Sequence, residues 1–170
     1  SAQAESAATI STFEIDGTEH ALTSSAPADS AVVSLDVSRD GARLLLYLST
    51  PLGPRLAVAG IIRDQKNVPT ALGQLEYLPV ASNAPIDATW VDARTVATVS
   101  RGGEVAPVTL YEIGGPSATF GQVPDASTIV GGNGGADGLR VLRTSGEVLR
   151  PQGSSWVTTG LSARLLATKQ

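Results

Sequence analysis

Short apolar runs dominate the chain, each bounded by Gly, Pro, Asp or Asn. The clearest fall at residues 32–37, 42–48, 56–62, 95–99, 108–113, 139–142 and 156–159. Runs of this length between turn residues read as β-strands. Residues 11–15 alternate polar and apolar, whereas Leu44-Leu45-Leu46 is apolar throughout. Alternation marks a strand with one wet face, and a continuous run marks one buried on both. The mixture predicts sheets stacked face to face. Helix has little support: the best window, 83–94, is broken by Pro85 and rich in turn and strand formers.

Three segments begin alike: "VVSLDVSRDGARLLLYL" from Val32, "PIDATWVDARTVATV" from Pro85 and "STIVGGNGGADGLRVL" from Ser127. Each is an apolar-rich strand, a turn and a second strand starting near Ala42, Arg94 or Gly138. Third strands follow at 54–62, 105–113 and 146–150, and fourth strands at 74–78, 118–122 and 156–159. The preceding segment, 8–15 then 19–23 across Asp16-Gly17, matches only the third and fourth strands. Third strands thus start near 8, 54, 105 and 146, at spacings of 46, 51 and 41. Four strands in each unit of about 40–50 residues is the period of a propeller blade. A two-sheet sandwich also carries many short strands, but a chain that opens half-way through a unit and closes on a lone first strand favours the propeller.

The expectation is therefore an all-β chain, a β-propeller fragment of about three four-stranded blades plus a partial blade. The half blade spans 8–23, the blades 32–78, 86–122 and 127–159, and a closing strand 163–168. Residues 1–7 fall outside as a disordered or non-native remnant. The ring is expected to be incomplete, with upstream sequence missing, and its open sheet edges would invite pairing with a second copy.

Composition narrows the function. The net charge is −4 and only 16% of residues are charged, so no basic stripe is available to neutralise phosphates and nucleic acid is not an expected partner. The chain has no cysteine, which removes disulfides and thiolate chemistry. No apolar run is long enough to span a bilayer, and residues 1–8 lack the features of a signal peptide.

Several ordered stretches resemble the C-terminal β-propeller domain of the LpqB lipoproteins of actinobacteria. They are "SLDVSRDGARLLLYL", "PRLAVAGIIRD", "LGQLEYLPV", "DATWVDARTVATV", "IVGGNGGADGLRVLRTSGEVLRPQGSSW" and the ending "LLATKQ". The ordered set with the segment Asp137-Gly138-Leu139-Arg140-Val141-Leu142 is much more specific than the Ser-x-Asp-Gly element alone. The resemblance implies a lipid-anchored protein on the outer face of the plasma membrane. It also implies an accessory of the MtrA–MtrB two-component system that contacts the extracytoplasmic part of the sensor kinase. The lipobox cysteine and N-terminal domains of such proteins are not in this chain, so membrane attachment is implied only through an anchor elsewhere.

No catalytic, cofactor or metal residues are expected, and the chain reads as a non-enzyme. His20 is the single histidine, between Glu19 and Ala21 in a hairpin strand, with no G-x-S-x-G turn in support. The glycine-rich stretch from Gly131 to Gly138 lacks G-x-G-x-x-G spacing. It resembles one calcium-binding nonapeptide, but Ala136 stands where an acidic ligand belongs, so an inter-strand loop is the better reading. Asp40, Asp92 and Asp137 fall in equivalent turns, where aspartate caps its own backbone. Trp90 is expected in the core between blades. Partner binding is expected at the end bearing the second-to-third-strand turns, which points to Arg55, Arg101 and Glu104, with Trp156 as an aromatic on an outermost strand. The rival reading is a small-ligand or cell-wall glycan-binding propeller; a hydrolase accessory domain is a third.

Overall fold

The computed structural model describes residues 10–13, 16–23, 26–27, 29–80 and 85–166. The chain divides into two compact units, Ser1–Leu78 and Pro79–Gln170. Among the described residues there is no α-helix, and no helix is long and apolar enough to cross a membrane.

The first unit holds a hairpin, β1 (Ile10–Phe13) and β2 (Glu19–Leu22), and a sheet of β3 (Ala31–Val37), β4 (Arg43–Thr50), β5 (Gly53–Arg63), β6 (Pro69–Leu72) and β7 (Glu76–Tyr77). Strands β3, β4 and β5 form an antiparallel meander, and β6 and β7 both pair with β5. Leu44, Leu45 and Leu46 on the central strand are all buried, as the unbroken apolar run predicts. Leu44, Leu46 and Leu48 face a core shared with Ile10 and Leu22 of the hairpin, Ala57, Ala59, Leu72 and Leu75. The hairpin is also tied by backbone: Thr23 pairs in parallel with Ala71, and the Leu72 N–H donates to the Thr23 carbonyl at 2.8 Å.

The fourth strand of this blade departs from the expected 74–78: it is split into β6 and β7. Leu72 and Leu75 are both buried in the same core although three positions apart. Side chains three apart in a continuous strand point to opposite faces, so the strand must break between them. The break is at Gly73, whose N–H donates to the Gly60 carbonyl at 2.8 Å.

The second unit contains two four-stranded meanders. One is β8 (Pro85–Trp90), β9 (Thr95–Ser100), β10 (Val105–Glu112) and β11 (Ser117–Pro124); the other is β12 (Ala126–Val130), β13 (Arg140–Arg143), β14 (Glu147–Gln152) and β15 (Ser155–Ser162). They share one core of short side chains: Ala97, Val99, Val108 and Val123 from one sheet, and Ala126, Ile129, Val141 and Leu149 from the other. Each fully buried aliphatic side chain of the larger kind contributes about 1.5–3 kcal/mol. Two side chains of β8 clasp the neighbouring first strand. Asp87 Oδ2 accepts the Ile129 N–H at 2.9 Å, and Thr89 Oγ1 accepts the Gly131 N–H at 3.0 Å. Trp90 is buried, as expected.

The glycine-rich stretch belongs to this packing. A Cβ on Gly131 would sit 2.1 Å from the Trp90 carbonyl oxygen, and one on Gly138 would sit 2.6 Å from that of Asn133. A single 3₁₀ turn, Gly135–Gly138, follows, with Asp137 exposed. The loop is thus a close-approach device. Asp137 shares its connection with Asp40 and Asp92 but not their geometry, because its loop is longer.

The expected closing strand at 163–168 is not formed where it is described. Residues 163–166 are not strand, and the remainder lies outside the described residues. Ala163 still follows β14, its N–H donating to the Gly146 carbonyl at 2.8 Å, and Leu165 is exposed.

The short turns rest on carboxylates. In Ser38-Arg39-Asp40-Gly41 the buried Ser38 hydroxyl donates to Asp40 Oδ1 at 2.6 Å and accepts the Arg43 N–H at 2.9 Å. That hydroxyl, with the Ala42 N–H, holds the Asp40 carboxyl below the ordinary range. Burial pushes Asp92 up, but N–H donation from Arg94 and Thr95, at 2.8 and 2.7 Å, outweighs it and leaves the carboxyl lowered. Glu147 is lowered by the Arg143 guanidinium, 2.7 Å away, and by Thr158.

Two predictions follow from these contacts. Asp87→Ala leaves the partly buried Ile129 N–H unpaired and is expected to cost about 1–3 kcal/mol. Gly131→Ala should cost more, because backbone must move. Urea unfolding checks both, and an unchanged midpoint for Asp87→Ala would remove the clasp from the stability argument. The lowered carboxyls contribute stability above their ordinary values, near 3.8 for Asp and 4.5 for Glu, that is lost as pH falls through the folded-state values. The melting temperature should therefore be flat above about pH 5 and decline below it. Asp92→Asn, which keeps an acceptor but cannot titrate, should decline less steeply.

Candidate partner-binding site

The turn between the second and third strands of the first blade is Thr50-Pro51-Leu52-Gly53. Thr50 fixes it from both sides: its hydroxyl donates to the Gly53 carbonyl at 2.7 Å and accepts the Leu52 N–H at 3.2 Å. Gly53 adopts φ 100°, a left-handed conformation that favours glycine. The result holds Leu52 outward, 84% exposed. A second pinned turn faces it, where Ser30 donates to the Pro27 carbonyl through its hydroxyl at 2.6 Å and its N–H at 3.0 Å.

Between these turns lies a cleft of about 510 Å³, lined by Pro27, Asp29, Thr50, Pro51, Leu52, Arg55 and Tyr77. Arg55 projects from β5 and Tyr77 from β7, the paired register placing Tyr77 opposite Ala57, two residues beyond Arg55. Among the described residues no ion pair or hydrogen bond engages the Arg55 guanidinium. The cleft is an apolar surface with one cation, one carboxylate and two hydroxyls on its rim. It suits an apolar side chain of a partner with a polar group beside it.

The four residues singled out from the sequence are divided between the two units. Arg55 lines this cleft in the first unit. Arg101 and Glu104 share the loop between β9 and β10, both exposed, with no ion pair between them among the described residues. Gly102 keeps that loop tight, because a Cβ there would lie 2.0 Å from the Val105 carbonyl oxygen. Trp156 begins β15 beside the β14–β15 turn, at the opposite end of its sheet from the β13–β14 turn. It is half-buried, edge-to-face on Phe120 with ring centroids 6.0 Å apart, and packs against the core of its unit.

Sequence reading put the turn 50–54 and the connection 24–30 at the binding end without singling out Pro27, Asp29 or Leu52, and it missed Tyr77. Leu52 carried a signal, since a leucine inside an otherwise polar and glycine turn has no reason in turn chemistry. His20 is half-buried on β2, paired in register with Thr12. Among the described residues no group of three or more His, Asp or Glu stands ready to hold a metal.

The profile of the family described as lipoprotein LpqB β-propeller domain matches residues 3–163. The chain belongs to that family. Its three antiparallel meanders and hairpin are then propeller blades and a part-blade, the fold expected from the repeat. No curated protein sequence matches the chain.

The cleft depends on Thr50. Thr50→Val keeps the side-chain shape but removes both hydrogen bonds, an expected cost of about 1 kcal/mol. Amide hydrogen exchange at Leu52 should accelerate in that variant, and unchanged protection would show that the turn is held by something other than Thr50.

Proposed function

We propose that this chain is a non-enzymatic extracytoplasmic module that modulates an MtrB-type sensor histidine kinase by protein–protein contact, in a protein held to the outer face of the cell membrane by a lipid anchor elsewhere. Membership of a lipoprotein domain family supports an extracytoplasmic interaction module. The kinase as partner comes from the resemblance to LpqB lipoproteins. The observation that carries the interaction reading is Leu52, 84% exposed on a pinned turn at the mouth of an apolar cleft. An apolar group held rigidly in water loses little entropy when a partner covers it, which is the economy of an interface anchor.

Calorimetry of the purified chain with the extracytoplasmic domain of the cognate kinase tests this. Saturable binding at about micromolar affinity or tighter is expected. Leu52→Asp and Arg55→Glu each change an exposed residue, and each should weaken binding at least about tenfold. No binding by folded chain, or unaltered affinity in both variants, overturns the proposal. Charge reversal at Arg101 and Glu104 maps its extent: unchanged affinity confines the contact to the first blade.

A further inference from the structure

A second cleft, of about 680 Å³, lies within the last blade and has different chemistry. It is lined by Leu142, Arg143 and Ser127, the turn Thr144-Ser145-Gly146, Ser162 at the end of β15, and Ala163 and Arg164 after it. Two arginines and no acid line it, in a chain whose net charge is −4. The arginines are not equivalent. Arg143 is occupied, donating to Glu147 Oε2 at 2.7 Å, Asp125 Oδ2 at 3.4 Å and the Pro124 carbonyl at 3.2 Å. It therefore fixes the wall by pairing with two carboxylates. Arg164 is exposed and has no hydrogen bond or ion pair among the described residues.

The hydroxyls divide in the same way. Ser127, set aside by the bulge in β12, donates to the Leu142 carbonyl at 3.0 Å. Those of Thr144, Ser145 and Ser162 have no partner among the described residues. The backbone under them is fixed, since the Ala163 N–H donates to the Gly146 carbonyl at 2.8 Å and the Thr144 N–H to that of Asp125 at 2.8 Å. One guanidinium and three hydroxyls without a partner among the described residues thus line one opening. A guanidinium matches a carboxylate bidentately, and a hydroxyl both donates to and accepts from another hydroxyl. No aromatic ring lines the cleft, so ring stacking contributes nothing to recognition.

We propose that this cleft binds a small carboxylate bearing several hydroxyl groups, of the sugar-acid class, with Arg164 on the carboxylate and Thr144, Ser145 and Ser162 on the hydroxyls. The site stands independently of the kinase-contact reading.

The probe is sodium D-glucuronate, titrated into the purified chain and followed by the amide resonances of Ser145, Gly146 and Ala163. Saturable shifts are expected. D-glucose, which lacks the carboxylate, should bind at least about tenfold more weakly, and so should glucuronate to Arg164→Gln. Arg164 is exposed, so that variant leaves the fold intact. Absence of shifts with glucuronate overturns the proposal, as does equal binding by Arg164→Gln. Sulfate as tight as glucuronate would reduce the cleft to a general anion site and overturn the role given to the hydroxyls.

Discussion

The second unit depends on how closely the first strands of its two sheets approach. Strand β12 is an edge of its own sheet, and a strand edge presents backbone donors that need partners. Asp87 and Thr89 on β8 supply acceptors to Ile129 and Gly131 without joining the two sheets into one. The shared core keeps the separation small because it is built from Ala, Val, Ile and Leu. The glycine at position 131 belongs to the same close approach: the backbones meet where even a Cβ would intrude.

With packing carried by the first strands and the core, the turns at the strand ends are released from structural duty beyond reversing the chain. The three second-to-third-strand turns accordingly differ in chemistry. The first presents Leu52 beside Arg55, the second the charges Arg101 and Glu104, and the third the hydroxyls Thr144 and Ser145. Each is fixed by a local device, the Thr50 hydroxyl in the first, Gly102 in the second and the Gly146 N–H donating to the Arg143 carbonyl in the third. A rigid scaffold with divergent loops is the usual way one fold takes on several binding tasks.

The repeat was legible in the sequence because strand and turn signals recur with it: the apolar run 44–46, the Asp16-Gly17 and Asp40-Gly41 turns, and Trp90 at the end of a first strand all stand where periodicity put them. What was illegible depended on contacts distant in sequence. The break at Gly73 follows from two leucines needing the same core, which periodicity along one strand cannot reveal. The steric purpose of Gly131 follows from Trp90, forty-one positions earlier. Of the cleft, Arg55 was singled out by its place after a turn, and the segments 24–30 and 50–54 only as connections at the same end. Tyr77 was hidden because it enters through the split fourth strand, and Pro27 and Asp29 could not be told apart from their neighbours because a connection between strands has no periodicity to read.

The two clefts illustrate opposite ways of making a turn attractive to a ligand. At the first, the favourable term is removal of apolar surface from water. Burying Leu52 fully would return about 1.5–3 kcal/mol, and the Thr50 bonds mean that little turn entropy offsets it. Arg55 then acts mainly on orientation and partner choice, since its guanidinium must shed water to pair. At the last blade the order is reversed. Leu142 lies buried beneath the opening and has almost no surface left to give up, so charge and hydroxyl geometry must supply the attraction. Such attraction is directional and screened by salt, whereas burial of Leu52 is neither. A macromolecular surface with many weak contacts is suited to the first cleft, and a compact polar ligand that satisfies every donor at once is suited to the second.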